Sequence, residues 1–373
     1  MPSARTALIR HLERLAGRRV AASRRSRLTP APPEPVLLVT TPGTTFTHGD
    51  QTTPFHAASI TKLAIASLIG LLFDDGRLTP ATRLAEVLPL GVLDGLFLHR
   101  GTDYAGSVTI EHLLTHTSGV NDYFEGRTGL ARAALATPER HWTRAELIDY
   151  TRRNQSAVGA PGERFRYSDT GYALLGLALE AVTGASYGRL MHERIFAPLG
   201  MDSARIHLLT IPGGAPHEAS SSPPGTVRPN SLAPVWFGGT EVSQSPVLSL
   251  GLSPGDMAAT PADLDRFGRA LLLGDLLSER TRRWLVRPRS SFRPGIRYGA
   301  GVMEINSRAM APFFGALPRP IGHLGAFGTG LFAVPQYGAV ITVNLHSTTQ
   351  MRATVATLMV ALRYIRESLP GTA

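Results

Sequence analysis

The sequence predicts an α+β fold, in which an antiparallel sheet is assembled from both ends of the chain and a mainly helical domain is inserted between them. Three observations predict it: strand patterns in the first 50 residues, strand patterns again after residue 320, and helical patterns separated by Gly and Pro loops through most of the interval. Strands far apart in sequence can share one sheet when the intervening helices form their own layer. The expected divisions are a basic arm at 1–30, a sheet domain formed by 31–76 and 255–373, and an inserted helical domain at 77–254.

The expected sheet domain begins with two strands and a buried helix. Residues 36 to 41, VLLVTT, have the composition of a strand, and Gly43 begins a turn into a second strand at 44 to 48. Residues 59 to 74, SITKLAIASLIGLLFD, are apolar nearly all round and are followed by Gly76. A helix of this pattern is surrounded by protein on every side, so we expect it at the centre of the molecule.

The C-terminal part of the chain completes this domain. TPADLDRFGRALLLG opens a helix with a Thr-Pro-x-Asp cap. Successive antiparallel strands are predicted for IGHLGAFGTGLFAVP and AVITVNLH, which are joined by a turn at 336–338. A closing amphipathic helix is predicted for TTQMRATVATLMVALRYIRESL. Residues 205 to 250 are rich in Pro, Gly and Ser and predict an irregular excursion.

The positive charge of the chain is concentrated at its start. Residues 1 to 27 hold eight arginines and the single acid Glu13, a net charge of +7, which leaves +3 for the rest of the formal +10. A basic arm on a nearly neutral body argues against an extended phosphate-binding surface, so we expect no nucleic-acid partner. Leu8, Leu12 and Leu15 have helical spacing, which predicts a solvated basic helix with one apolar face.

Composition excludes several classes of protein. The chain has no cysteine, which rules out disulfide scaffolds, thiolate metal sites and cysteine nucleophiles. It has no apolar run of the roughly 18 residues that cross a bilayer. Arginines interrupt the apolar positions of the first 28 residues, so no secretion signal is expected. We therefore expect a cytoplasmic protein without a transmembrane segment, a metal or a cofactor; composition leaves the oligomeric state open.

The chemistry indicated by the sequence is concentrated at Ser59 and Lys62. Of 38 basic residues, Lys62 is the one lysine, and it lies within the apolar helix pattern. Arginine cannot lose its proton, whereas a buried lysine amine can act as a base. Residues at i and i+3 share a helix face, so the amine can reach the Ser59 hydroxyl. The pair predicts an activated serine nucleophile.

Two further motifs follow in order. Tyr167-Ser168-Asp169 lies in a loop after a Pro-Gly-Glu turn, and His323-Leu324-Gly325 lies on the first of the final strands. With Ser-x-x-Lys, the segment at 115–119 and PLGM at 198–201, these motifs resemble the serine β-lactamase and penicillin-binding-protein-like superfamily. The resemblance covers roughly 36 to 365. It is closest to the branch of class C β-lactamases, D-Ala-D-Ala peptidases, D-aminopeptidases and family VIII esterases, and implies their sheet of five or more strands.

The resemblance implies a role for each motif residue. Ser59 would be the acylated nucleophile, Lys62 its base or proton relay, and Tyr167 a second proton-transfer group whose phenol pKa is lowered by the nearby cation. The backbone N–H groups of Ser59 and Ala326, which follows Gly325, would form the oxyanion hole. His323 would line the cleft opposite Ser59.

Two motif positions depart from the superfamily. Asp169 stands where asparagine is usual, which places a titratable carboxyl near Lys62 and Tyr167 and leaves open whether it holds the lysine protonated or is itself neutral. His323 stands where β-lactamases have lysine, and a mostly neutral imidazole binds a substrate carboxylate less firmly. Antibiotic hydrolysis is therefore less expected than cleavage of esters, amides or D-amino-acid peptides.

Competing sites were weighed against this one. Gly184 to Gly188 match Gly-x-Ser-x-Gly, but helical patterns on both sides predict that Ser186 is a helix cap. The lone histidines lack metal-ligand spacing. Four residues are candidates for the substrate pocket: His116, Tyr123, Trp236 and Phe237.

The function predicted from these residues is that of a serine hydrolase acting through a covalent acyl-enzyme on an ester or amide of a small molecule or a D-amino-acid peptide. Alternatives within the fold are an acyl transferase, thioesterase or cyclase that takes a carrier-bound acyl substrate, and a D-Ala-D-Ala carboxypeptidase or weak β-lactamase. A non-catalytic binding protein is the alternative from a different class.

Overall fold

The computed structural model describes residues 3–26, 33–126, 128–207, 232–310 and 317–369. Within these residues the strands are β1 Val36–Thr41, β2 Thr44–His48, β3 Phe55–His56, β4 Leu98–His99, β5 Thr102–Asp103, β6 Arg205–Ile206, β7 Trp236–Phe237, β8 Thr240–Glu241, β9 Met257–Ala259, β10 Ser290–Arg293, β11 Ile296–Tyr298, β12 Met303–Ile305, β13 Ile321–Gly325, β14 Thr329–Val334 and β15 Ala339–Asn344. The α-helices are α1 Ala4–Ser26, α2 Thr61–Asp74, α3 Leu90–Leu93, α4 Ile110–Leu114, α5 Leu130–Ala134, α6 Arg144–Asn154, α7 Asp169–Thr183, α8 Tyr187–Met191, α9 Pro261–Gly268, α10 Glu279–Val286, α11 Ser307–Met310 and α12 Met351–Ser368.

The main sheet is built from both ends of the chain. Its order is β10-β11-β12-β13-β14-β15-β1-β2, and every neighbouring pair is antiparallel. Val36 of β1 pairs with Asn344 of β15, which places the first strand beside the last. The predicted α+β fold with an antiparallel sheet of five or more strands is confirmed, and the strands expected at 36–41 and 44–48 have the predicted bounds.

Both faces of this sheet are covered by helices. Along β14, Leu331 and Ala333 belong to the core that contains α2 and α9, while Phe332 and Val334 belong to the core that contains α1 and α12. This alternation follows from the period of two in a strand. Because β14 and β15 are buried on both faces, their sequences are mostly apolar and do not alternate with exposed polar residues.

Helices dominate the segment between the two parts of the sheet, from α3 to α8. A second, three-stranded sheet of order β3-β9-β6 connects this segment to the turn before α2. The segment predicted as irregular includes the short hairpin of β7 and β8, while residues 208–231 lie outside the described part of the chain. The proposed domain divisions at 30, 76 and 254 stay a prediction.

The basic arm forms α1, whose apolar face is buried. Leu8 and Leu12 are 0% exposed and belong to the same core as Leu358 and Leu362 of α12. Arg10 and Arg14 on the other face are exposed, as predicted. Among the described residues, no helix has the length and apolar character needed to span a membrane.

Leu12→Ala is expected to lower the free energy of unfolding by about 3 kcal/mol, because it deletes fully buried methyl groups between α1 and α12. The matched control is Leu90→Ala, since Leu90 is 59% exposed and its truncation leaves no cavity. Urea denaturation followed by circular dichroism gives both values. Equal stability of the two variants would show that α1 is not part of the cooperative core.

Candidate active site

Ser59 lies in a tight turn immediately before the central helix. The sequence predicts a helix that begins at Ser59. In the structure, residues Ala58–Ile60 form a 3-10 turn and α2 begins at Thr61. Ala58 has a φ of 52°, a left-handed conformation that is strained for alanine. The Thr61 hydroxyl donates to the Ala58 carbonyl at 2.7 Å and accepts from the Met257 N–H at 3.1 Å. The turn that carries Ser59 is thereby fixed to β9.

The Lys62 amine is buried among three oxygen atoms. Its Nζ lies 3.2 Å from Ser59 Oγ, 3.0 Å from the Pro254 carbonyl oxygen and 2.5 Å from Asp169 Oδ1, and the side chain is 0% exposed. A buried ammonium without such partners would be strongly destabilising. The Asp169 carboxylate provides a counter-charge at this buried position. The predicted contact of Ser59 with Lys62 is thus present, and Asp169 adds a carboxylate to it.

Tyr167 closes the site on the other side of Ser59. Its side chain hydrogen-bonds Ser59, and its ring centroid lies 4.9 Å from Lys62 Nζ. The predicted lowering of its pKa is wrong: burial and the Asp169 carboxylate raise the pKa of Tyr167 well above the usual value. Burial has the largest effect on this pKa, and the Asp169 carboxylate acts in the same direction. Tyr167 is therefore a neutral phenol, suited to donating a proton.

Asp122 is a site residue that the sequence analysis missed. It is 2% exposed and accepts hydrogen bonds from the N–H groups of Phe124, Glu125 and Asp169, the last at 3.0 Å. Burial, followed by the neighbouring Asp169 carboxylate, raises the pKa of Asp122 to about 7. Its position just after the segment at 115–119 was the available signal. Asp122 fixes the loop that presents Asp169 to Lys62.

His323 does not line the cleft as predicted. It is 0% exposed, and burial, then the charge of Lys62, lowers its pKa to about 3. Its Nδ1 lies 2.6 Å from the Leu324 carbonyl oxygen, and its Nε2 lies 3.1 Å from the Tyr298 hydroxyl. The side chain of this strand residue points into the protein, so His323 is a neutral internal group and cannot contribute charge to substrate binding.

Gly325 allows β13 to approach the turn of Ser59. A Cβ atom at this position would lie 2.0 Å from Thr329 Oγ1 and 2.5 Å from the Ala57 carbonyl oxygen, distances that no side chain tolerates. The Thr329 hydroxyl donates to that same carbonyl at 2.9 Å. Ala326, which follows, lines the same two cavities as Ser59. Their backbone N–H groups as an oxyanion hole stay a prediction that this proximity supports.

Two cavities meet at Ser59. The first, called the apolar cavity, has a volume of about 50 Å³. Its walls are mostly apolar side chains, with Asp169 and His56 as polar members; the apolar ones include Phe124, Leu135, Phe237, Leu248 and Phe327. The second, called the arginine cavity, has a volume of about 390 Å³. It is lined by Tyr167, Phe292, Met303 and Met351 together with Arg293, Arg352 and Glu125.

Of the four pocket candidates, Phe237 lines the apolar cavity. The other three do not line either cavity among the described residues. Tyr123 is 0% exposed and donates to the Leu250 carbonyl at 2.8 Å, and Trp236 is 2% exposed. His116 is 1% exposed and hydrogen-bonds the Tyr298 hydroxyl. Large aromatic side chains near a site are packing residues as often as pocket walls, and sequence alone does not distinguish the two.

The competing serine has no catalytic surroundings. Ser186 caps α8, where its hydroxyl accepts from the Arg189 N–H at 3.4 Å, as predicted. Within the described ranges, no group of three or more His, Asp or Glu side chains is arranged to hold a metal ion.

The fold and site together define the class of protein. Four features meet at one point: a serine before the central helix, a buried lysine one turn on, a tyrosine from the helical segment, and the glycine at the C-terminal end of β13. Residues 36–363 match the family model described as Beta-lactamase, and the chain belongs to that family. The resemblance drawn from the motifs is confirmed at the level of the family.

Individual relatives agree with this assignment. Penicillin-binding protein 4 of Amycolatopsis lactamdurans is 31% identical over 235 residues, which make up 61% of this chain and 53% of that protein. The D-alanyl-D-alanine-carboxypeptidase/endopeptidase AmpH of Escherichia coli K12 is 31% identical over 146 residues, 39% of this chain and 34% of that protein. The chain thus spans about half or less of the length of these relatives.

A solved structure matches nearly the whole fold. The D-amino acid amidase from Ochrobactrum anthropi SV3, complexed with L-phenylalanine, superposes with a TM-score of 0.72 at 22% identity, covering 97% of this chain and 99% of that chain. At this identity the likeness shows the fold.

Asp122→Asn is expected to change how stability depends on pH. The pKa of Asp122 is about 7 in the folded protein against about 3.9 when unfolded, so the folded state binds the extra proton between these values. The stabilisation from Asp122 is therefore complete below about pH 4 and is lost as the pH rises through about 7. The advantage of wild type over Asp122→Asn should shrink by about 3 kcal/mol between pH 4.5 and 7.5.

Urea denaturation at the two pH values measures this difference. Asp50→Asn is the control: hydrogen bonds led by that of Thr53 lower the pKa of Asp50 to about 2, so its contribution stays constant over the same interval. A difference between wild type and Asp122→Asn that does not change with pH would show that Asp122 is ionised throughout.

Proposed function

We propose that the protein is a serine hydrolase that cleaves amides or esters through an acyl-enzyme on Ser59. The observation that carries the proposal is the Lys62 amine, which is held between Ser59 Oγ at 3.2 Å and Asp169 Oδ1 at 2.5 Å with no exposure to water. A serine hydroxyl is a weak nucleophile until a positioned base takes its proton. Together the three groups supply a nucleophile, a proton carrier and a proton acceptor, each in contact with the next.

Acylation follows from this arrangement. Lys62 passes one ammonium proton to the Asp169 carboxylate and takes the Ser59 proton while Oγ forms a bond to the substrate carbonyl carbon. The N–H groups of Ser59 and Ala326 bind the resulting oxyanion. When the intermediate collapses, the Tyr167 phenol gives its proton to the leaving nitrogen or oxygen. The Lys62–Asp169 pair then returns a proton to the phenolate, and all four side chains regain their starting charges. Water repeats the sequence to release the acid.

The position of Tyr167 supports an assignment of the two cavities to the two parts of the substrate. A leaving group must lie beside the phenol that protonates it, and Tyr167 lines the arginine cavity and not the apolar cavity. The acyl group then occupies the apolar cavity, among Phe124, Phe237 and Leu248. Asp169 is a polar group of that cavity and offers a partner for an ammonium group. These features support an amino-acid amide or ester with an apolar side chain; the D-amino acid amidase with the same fold supports the D configuration.

A second candidate function is cleavage of a D-amino-acid dipeptide terminus. Arg293 and Arg352 both line the cavity assigned to the leaving group, where they can bind a carboxylate. When an amide releases ammonia, the leaving group has no carboxylate for these arginines to bind, whereas a terminal D-amino acid has one. The same cavity would admit an amine acceptor, so acyl transfer, including transfer from a carrier, stays a prediction.

Fluorophosphonate labelling tests the nucleophile directly. We expect one adduct on Ser59 and none on Ser186, because only Ser59 contacts an amine that can take its proton.

Lys62→Arg should slow the labelling by about 10² to 10⁴, since a guanidinium cannot release a proton. Peptide mapping by mass spectrometry locates the adduct, and thermal melting confirms that the variant is folded. An adduct on Ser186, or a folded arginine variant that labels at the wild-type rate, would contradict the proposal.

A small substrate panel separates the two candidates. D-phenylalanine amide, its p-nitroanilide and D-phenylalanyl-D-alanine share one acyl group and differ in leaving group. If a leaving-group carboxylate is recognised, Arg352→Ala should lower kcat/KM for the dipeptide by about 10- to 100-fold and leave the amide within about twofold. Arg363→Ala, an exposed arginine of the same helix, is the control. Equal effects of Arg352→Ala on all three substrates would rule out the dipeptide candidate. If none of the three substrates is turned over, a D-phenylalanyl group is not an acyl group that the protein accepts.

A further inference from the structure

A continuous chain of hydrogen bonds passes through the protein behind the catalytic serine. The Ser168 N–H donates to His116 Nδ1 at 3.1 Å, and His116 Nε2 lies 3.1 Å from the Tyr298 hydroxyl. That hydroxyl lies 3.1 Å from His323 Nε2, whose Nδ1 is 2.6 Å from the Leu324 carbonyl oxygen. The three side chains are at most 1% exposed. Tyr298 was not among the residues predicted from the sequence.

The proton positions in this chain are determined by its two ends. His116 Nδ1 accepts from a backbone N–H, so its proton is on Nε2 and is donated to the Tyr298 oxygen. The Leu324 carbonyl can only accept, so the proton of His323 is on Nδ1 and its Nε2 accepts from the Tyr298 hydroxyl. The Tyr172 hydroxyl, which also approaches Tyr298, donates its own proton to the Leu114 carbonyl. Every link then has one donor and one acceptor.

Burial keeps the chain in this single state. It lowers the pKa of His323 to about 3 and the pKa of His116 well below the usual range, with the charge of Lys62 acting in the same direction. Burial also raises the pKa of Tyr298 well above its usual value. Both imidazoles are thus neutral, and the phenol keeps its proton. Since both ends are backbone groups, the chain has no route by which to deliver a proton to the site.

The chain joins the two parts of the molecule that supply the catalytic groups. Ser168 lies between Tyr167 and Asp169 in the helical segment. Leu324 lies near the C-terminal end of β13, just before Gly325 and Ala326. Tyr298, on β11, hydrogen-bonds both histidines and so connects the two halves of the chain. The His116 ring also lies against the Tyr167 ring, with centroids 4.4 Å apart and an interplanar angle of 36°.

We propose that Tyr298 is a positioning residue that, through His116 and His323, fixes Tyr167 and Asp169 relative to Ala326. The inference rests on the proposed function for its kinetic consequence but not for its structural one. A displacement of catalytic groups by even about 1 Å costs on the order of 10²-fold in rate. Because Tyr298 touches neither cavity among the described residues, its loss acts on the geometry of the transition state and not on substrate contacts.

Tyr298→Phe tests the proposal, because it removes one oxygen and leaves a donor and an acceptor unmatched. We expect kcat and the rate of Ser59 labelling by a fluorophosphonate to fall by about 10- to 100-fold, with KM changed less than about threefold. Tyr364→Phe is the matched control: Tyr364 is 5% exposed and packs on Phe46, 5.6 Å between ring centroids. It should leave kcat and labelling within twofold.

The hydrogen bonds are measured separately by NMR of protein labelled with ¹⁵N in the histidine rings. In the wild type at pH 7, His116 should be the Nε2–H tautomer and His323 the Nδ1–H tautomer; Tyr298→Phe should shift both sets of signals and Tyr364→Phe neither. This readout needs no turnover, so it stands if the proposed function fails or if Tyr298→Phe does not fold. The opposite tautomer or an imidazolium at either histidine would overturn the chain. Expected tautomers together with unchanged kcat and labelling in a folded Tyr298→Phe would overturn the positioning role.

Discussion

The burial of one ammonium group determines how the rest of the site is built. Lys62 Nζ has no exposure to water, so its charge must be balanced by protein groups, and Asp169 at 2.5 Å and the Pro254 carbonyl at 3.0 Å do so. Each of these partners has to be delivered by a separate element. The Asp122 carboxylate holds the loop of Asp169, and the strained turn at Ala58 holds Ser59 against the amine. The catalytic geometry is therefore a consequence of neutralising one buried charge.

This constraint also explains the pattern of proton affinities around the site. Burial, followed by the charge of Lys62, lowers the pKa of the two buried histidines. Burial, followed by the Asp169 carboxylate, raises the pKa of Tyr167 and of Asp122. Neutral groups thus surround a single ion pair, which is the arrangement of lowest electrostatic cost in a medium of low dielectric. In the proposed reaction, protons would pass between neighbouring groups of this site without creating a second net charge.

The sequence predicted the parts that depend on local patterns. The strands at 36–41 and 44–48, the central helix and the pairing of Ser59 with Lys62 follow from periodicity and spacing, and all are present. The environment of each group could not be predicted in this way. His323 and His116 were expected beside the cleft, yet β13 and the segment after α4 turn both inward, where Tyr298 meets them. The sign of the pKa change at Tyr167 depends first on the burial of the phenol and then on the Asp169 carboxylate, and only the folded geometry determines both.

The central claim is that Asp169 accepts the proton that Lys62 releases and so sets the conditions under which Ser59 becomes a nucleophile. Asp169→Asn keeps the size of the side chain and removes its charge. The measurement is the rate of Ser59 labelling by a fluorophosphonate between pH 5 and 10, which requires no knowledge of the substrate. In the proposed acylation Asp169 takes the proton that Lys62 releases, so without the carboxylate this acceptor is missing and labelling needs a more alkaline solution. The account therefore predicts that the acid limb of the pH–rate profile moves to higher pH. An acid limb that stays in place in the folded variant would contradict it.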